Sequence, residues 1–243
     1  MIFEDVGILV HKQKYSETSL ILTVFTENYG LQKGILKGGM NPKVKSYLEI
    51  GNILNVVKKA RNESSLGYFK LELQKSYLAD VLYNSVKTAA LVSICTLINN
   101  FLAEKEPYAD LFYSTKTLIS LLSQPDFIKY YLKWEVLLLN YIGLGLDLSQ
   151  CVVTNNKDNL YYISPRTGKA VVQGVGEPYK DKLFVIPELL KSNNLQNYEI
   201  NNNDSKQVFT ITSHFFNHFS QEYHTNLPFS RQILIKNFCY NVK

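Results

Sequence analysis

A chain of 243 residues can bury one large core or two modest ones. Its 46% hydrophobic and 19% charged residues exclude a disordered polyelectrolyte, and three well-separated cysteines, Cys95, Cys151 and Cys239, exclude a disulfide scaffold. The formal charge of +5 is modest, so the placement of the positive residues matters more than their number.

The opening MIFEDVGILVHK carries acidic residues where a secretory signal needs basic ones. The longest apolar runs, Ala89–Leu97 and Val136–Leu139, are interrupted well short of a membrane span. The expectation is a cytoplasmic protein without a membrane partner.

The first 75 residues read as five short strands. Val6–Val10 is an apolar run, and Leu20–Phe25 is rich in β-formers. Leu31–Lys37 follows the turn signal Asn28-Tyr29-Gly30, and Ile53–Val57 is apolar and partly β-branched. Tyr68–Gln74 alternates, with Phe69, Leu71 and Leu73 on one face and Lys70, Glu72 and Gln74 on the other. Five strands in this length suit a small closed barrel. The OB-fold is the commonest such barrel that binds nucleic acid, although the pattern fits an SH3-like barrel too.

This segment also holds the charge asymmetry. Through Lys75, eleven basic residues face seven acidic ones, whereas the remainder is nearly balanced at fifteen against fourteen. Between Lys33 and Arg61 stand Lys33, Lys37, Lys43, Lys45, Lys58, Lys59 and Arg61, opposed only by Glu49. Such a field attracts polyanions, and lysine meets phosphate as a point charge without reading sequence. These seven are the candidate contacts for a polyanion such as nucleic acid. Gly38 and Gly39 would allow close backbone approach, and Tyr47 and Tyr68 are candidate stacking platforms. The plainer assignments are a solvated barrel face and half-buried barrel tyrosines.

After Ser76 the period becomes helical. Asp80–Ala103 and Tyr108–Leu122 carry apolar residues at helical spacing, and Pro125-Asp126 opens a third helix over Phe127–Ile142 that Gly143 ends. Lys129 and Lys133 stand four apart beside Tyr130, Tyr131 and Trp134, and the plain reading makes those aromatics core and those lysines solvated. Residues 147–178 are irregular, with short strands at Leu160–Ile163 and Ala170–Val172. Leu183–Leu190 is read as a short helix and Ser192–Asp204 as a surface loop. Val208–Tyr223 and Ser230–Tyr240 are helical again.

Motifs for chemistry are missing. Gly34 and Gly39 have P-loop spacing, but Met40-Asn41 replaces the Lys-Ser/Thr that would hold phosphate and magnesium. His214 and His218 share a helical face, yet no Glu follows the first, so they read as polar positions on an amphipathic helix. There is no nucleophile elbow and no dense carboxylate cluster. The chain is read as a non-enzyme without cofactor or metal.

Three groups of residues carry a family resemblance. Gly7-Ile8-Leu9-Val10, Tyr15–Leu22, Gly30-Leu31 and Lys37-Gly38 resemble the opening of RecO proteins, bacterial mediators of recombinational repair. Tyr141–Leu148 leading to Cys151, and Tyr162–Val171, resemble the segments that flank and form that family's zinc-finger-like insertion; Leu227-Pro228 before a last helix also fits.

The resemblance implies an α+β protein: an N-terminal OB-fold DNA-binding domain over residues 1–77, then a mainly α-helical domain over 78–243. The insertion at about 147–178 departs from the family pattern. Cys151 stands alone and no histidine accompanies it, whereas structural zinc needs four ligands. A metal-free version held by Leu160, Tyr162, Ala170 and Val171 is expected. The resemblance further implies binding of single- and double-stranded DNA, annealing of complementary strands, and action with RecR. It also implies docking of the acidic, apolar tail of single-strand-binding protein on the helical domain, with Lys129 and Lys133 as candidate contacts, and indirectly RecA loading in the RecF pathway. An RNA-binding or ribosome-associated OB-fold protein is the alternative.

Overall fold

The computed structural model describes residues 2–62 and 64–240. They fall into two compact units, one of Met1–Pro125 with Pro228–Arg231 and one of Asp126–Leu227 with Gln232–Lys243. The chain is mixed α+β, with strands first and helices after.

In the first unit, β1 (Ile2–Lys14), β2 (Leu20–Thr26), β3 (Gly30–Leu36), β4 (Ile53–Lys59) and β5 (Tyr68–Lys75) form a closed barrel in the order β1-β2-β3-β5-β4. β1 is long enough to pair with both β2 and β4, and a bulge between Leu9 and His11 bends it between the two partners. Closure comes from the parallel contact of Ile35 with Tyr68. The barrel interior is apolar, with Leu9, Leu22, Val24, Leu54, Val56 and Phe69 among its buried residues. Gly34 lies inside β3, where a Cβ would come within 2.7 Å of the Phe69 ring. Its P-loop spacing with Gly39 is therefore a coincidence of packing.

The sequence pattern leaves residues 38–52 without an element, but Pro42–Lys45 form a short helix, α1. Asn41 caps it, its side-chain oxygen accepting the Lys43 N–H at 3.0 Å, and Pro42 supplies the preset φ of a first helical position. Met40, Val44 and Tyr47 pack on the barrel core around buried Leu48, so α1 closes one end.

The helical pattern over Asp80–Ala103 resolves into α2 (Leu78–Val81) and α3 (Ser85–Phe101). They divide at Asn84, whose side chain caps α3 through the Val86 and Lys87 N–H groups. α3 packs on β1, and α4 (Ala109–Leu121) meets β2 through Phe112, which lies edge-on to Phe25 at 5.6 Å. The middle of β1 and most of β2 are thus buried on both faces, as Ile8 beside Leu9 and Phe25 beside Val24 demonstrate. The outer face of β3, β5 and β4 carries the exposed side chains of Lys33, Tyr68, Lys70 and Lys59.

The second unit has α5 (Ile128–Tyr141) against α8 (Asn202–Tyr223). Glu135 is fully buried between them and accepts hydrogen bonds from Tyr131 at 2.8 Å and Thr212 at 2.7 Å. In the chain between α5 and α8 comes a three-stranded sheet in the order β7 (Ala170–Val172), β6 (Leu160–Ile163), β8 (Phe184–Val185). The one-turn helix α6 (Gln173–Gly176) and a 3-10 turn over residues 177–182 follow β7.

The expected helix over Leu183–Leu190 is instead β8 followed by α7 (Glu188–Lys191), because Pro187 fixes an extended backbone between them. α8 begins six residues earlier than its apolar pattern. Asn201 and Asp204 form a reciprocal capping box, so the helix starts within the asparagine-rich stretch read as a loop. The last helix, α9 (Phe229–Ile235), runs into a π-helical turn at Lys236–Tyr240.

Candidate nucleic-acid interface

The open face of the barrel gathers Lys37, Lys59 and Lys70 around one aromatic ring. Strand alternation turns Phe69 and Leu71 inward and Tyr68 and Lys70 outward. Tyr68 is 49% exposed, and Lys37 Nζ lies 4.5 Å from its ring centre. Beside it runs a groove of about 460 Å3 lined by Ile2, Glu4, Val57, Lys59, Tyr68 and Lys70 over the buried Phe69 ring. Ile2 at 66% exposure and Tyr68 give the groove apolar surface, while Lys37, Lys59 and Lys70 supply positive charge that Glu4 opposes in part. Lys70 is shared with Glu72 at 3.2 Å.

The seven predicted contacts divide in three ways. Lys37 and Lys59 belong to this face, and Lys43 and Lys45 are exposed on α1. Arg61 is exposed in the β4–β5 loop. Lys33 is exposed but ion-paired with Glu104 at 2.6 Å, so part of its charge is already neutralised. Lys58 does not share the face: only 6% exposed, it points into the barrel with Leu54 and Val56 and donates to Gln32 Oε1 at 3.0 Å. Burial, then the charge of Lys105, hold its pKa below the ordinary lysine value, partly offset by Glu104. The two-residue period of β4 forces neighbouring lysines to opposite faces, a signal the adjacent pair Lys58-Lys59 obscures.

Of the two tyrosines, Tyr47 is packed on the core and Tyr68 is open. Gly38 has φ +71° and open space around its Cβ position, which keeps the backbone next to Lys37 approachable. Ile2 and Lys70 join the groove without having been singled out in the sequence. Lys70 was legible from its alternation with Phe69 and Leu71.

The other proposed contact pair behaves differently. Lys129 is 2% exposed and held by Asp126 at 2.5 Å and the Tyr198 carbonyl at 3.1 Å. Lys133 donates to the Leu190 and Ser192 carbonyls at 3.2 and 2.9 Å, and burial lowers its pKa. Both ammonium groups pin the segment after β8 onto α5, which corrects their assignment as a peptide-docking pair. Phe112, Tyr131 and Trp134 are core, while Tyr113 is 51% exposed and donates to Glu27.

The insertion packs around Cys151, Tyr162 and Val171, with Leu160 against them. Zinc does not fit there: no group of three or more His, Cys, Asp or Glu able to hold a metal occurs among the described residues. The Cys151 Sγ instead accepts the Val172 N–H at 3.4 Å. Burial raises the thiol pKa. The Thr154 hydroxyl and the N–H groups of Val172, Thr154 and Val153 outweigh burial and bring it down to about 7. His214 is exposed with Nε2 3.1 Å from the Pro165 carbonyl, and His218 is exposed. No helix among the described residues is long and apolar enough to cross a membrane.

Family models match nearly the whole chain. That described as Recombination protein O N terminal covers residues 1–77, and that described as Recombination protein O C terminal covers 82–227. Proteins named DNA repair protein RecO are similar throughout. The one from Rickettsia canadensis is 39% identical over 90% of this chain and 89% of its own. That from Ehrlichia chaffeensis is 36% identical over 97% and 98%, and that from Rickettsia felis 34% over 99% and 100%.

Proposed function

Because the chain belongs to the RecO family, we propose that it is a DNA-binding mediator of recombinational repair whose barrel, an OB-fold, takes single strands across the face of Lys37, Lys59 and Tyr68. The observation that carries this reading is the exposed tyrosine with a lysine over its ring and further lysines around its groove. Stacking on Tyr68 holds a base of any identity, and the surrounding ammonium groups hold phosphates, so binding is tight without sequence preference. Lys43 and Lys45 on α1 extend the positive field beyond the groove. Concentrating two strands on such a field screens their mutual repulsion, which promotes annealing without nucleotide hydrolysis. RecR and the single-strand-binding protein are the expected partners in opening coated strands to RecA.

A strand-annealing assay tests this. Complementary oligonucleotides, bare or coated with single-strand-binding protein, should pair faster with the protein than without it. Failure to accelerate pairing of bare strands at low salt would overturn the reading. Tighter binding to RNA than to DNA at matched salt would favour the ribosome-associated alternative.

A further inference from the structure

Lys58 is a buried ammonium at the end of the barrel opposite α1, and it opens onto a pocket of about 210 Å3. The pocket is built from the start of β1, the β2–β3 turn, the end of β4 and the segment after α3. One wall is the Phe3 ring stacked on Tyr29, with centroids 4.1 Å apart and planes 21° apart. Asn28 and Asn62 line its polar side, and Lys105 also contributes.

The pocket is held in shape by its own hydrogen bonds. Asp5 accepts both the backbone and side-chain N–H of Asn28, at 2.8 and 3.0 Å, which fixes the turn that carries Tyr29. Gln32 donates to the Tyr29 carbonyl at 2.5 Å while its oxygen receives Lys58. Gly30, at φ +61°, packs so closely on the Glu106 carbonyl that a Cβ would sit 1.8 Å from it, and this seats the segment bearing Lys105 on the barrel end.

The polar groups are unevenly satisfied. Among the described residues Lys58 has no carboxylate partner, and its hydrogen bond is to a neutral amide. A buried ammonium without an ion-pair partner is costly; a second lysine nearby increases that cost, and Glu104, itself paired with Lys33, offsets it only in part. An anion in the pocket removes it. The Asn28 side-chain oxygen and the Asn62 side-chain nitrogen have no partner among the described residues, which leaves one acceptor and one donor at the rim.

We propose that this pocket binds one nucleotide of a single strand, its base against the Phe3–Tyr29 wall and its phosphate at Lys58 and Lys105. Two adjacent lysines suit a phosphate, and one planar wall with an amide donor and an amide acceptor suits a base edge. Lys59 and Arg61 flank the pocket along the same chain segment, so a backbone held outside can turn a base inward. The proposal rests on the barrel being a single-strand binder and adds a site distinct from the Tyr68 groove.

The test is ligand-observed NMR with dAMP, and oligonucleotide binding, for the wild type, Lys58→Met and Lys105→Gln. Wild type should transfer saturation to the adenine protons. Lys58→Met should weaken dAMP at least tenfold while its melting temperature is kept, and Lys105→Gln, on the rim, should weaken it several-fold. Oligonucleotide affinity should fall about three- to tenfold in Lys58→Met. If dAMP fails to bind the wild type, or binds all three proteins alike, the pocket assignment falls even where oligonucleotides bind well. If an acidic peptide with a free C-terminal carboxylate saturates the pocket and dAMP does not, the pocket belongs to a protein partner and the proposal is overturned. If no oligonucleotide binds any of the three, the barrel is not a single-strand binder, and it is the earlier reading that fails.

Discussion

The Lys37 ammonium sits 4.5 Å from the centre of the Tyr68 ring, so the cation and the stacking surface are held together before any strand arrives. An exposed cation–π contact is worth roughly 0.5–1 kcal/mol, less than stacking of a base on the same ring, about 1–3 kcal/mol. A base can therefore take the ring while Lys37 moves to the adjoining phosphate. Tyr68→Ala should weaken single-strand binding roughly 5- to 150-fold, and Tyr68→Phe should leave it nearly unchanged. Fluorescence anisotropy with a labelled oligothymidine checks this. Equal affinity of Tyr68→Ala and wild type would remove the ring from the interface.

Phosphate contacts are counted by their salt dependence. Each phosphate neutralised on a single strand contributes about 0.7 to the slope of log affinity against log salt. Replacing Lys37, Lys43 and Lys45 together with Gln should make the slope shallower by about 2. Lys33→Gln should change it less than any of those three singly, because Glu104 already takes part of its charge at 2.6 Å. Titrations between 50 and 300 mM salt separate the two outcomes.

Legibility in the sequence followed the number of neighbours each inference needed. The five barrel strands and the long helices were legible because apolar periodicity reports a face that must be buried, wherever its partner lies. Tyr68 was readable for the same reason, its outward turn being dictated by Phe69 and Leu71. Charge along the chain does not distinguish Lys58 from Lys59, whereas β4 alternates and sends Lys58 inward beside Leu54 and Val56. Lys129 was misplaced because its acceptors, Asp126 and the Tyr198 carbonyl, include one 69 residues away, which no local pattern encodes. The pocket at the barrel end was invisible for that same reason: Phe3, Tyr29, Lys58 and Lys105 meet only after closure.

Lys129 should matter to stability rather than to recognition. Its ammonium is 2% exposed and bridges Asp126 to a backbone carbonyl, so Lys129→Met leaves those acceptors unpaired at a cost of about 2 kcal/mol. For a chain of this size that corresponds to a fall in melting temperature of roughly 4–8 °C. Lys191→Gln removes an exposed pair with Glu188 and should stay within about 0.5 kcal/mol. Calorimetry on the two variants compares them directly, and equal melting temperatures would contradict the caged geometry.

Cys151 makes the stability of the insertion depend on pH. Its Sγ accepts the Val172 N–H at 3.4 Å, and the surrounding donors favour the thiolate, placing its pKa near 7 against an ordinary thiol value of about 8.5. For an acidic group whose folded pKa is depressed, the folded state binds fewer protons than the unfolded one between the two values. Stability from this group is therefore complete above about pH 8.5 and is lost as pH falls through 7. Cys151→Ala deletes the term, so its melting temperature should trail that of the wild type by a margin that widens from pH 6.5 to 9. A margin that does not vary with pH would mean that Cys151 stays a neutral thiol, held there by its packing against Tyr162 and Val171 alone.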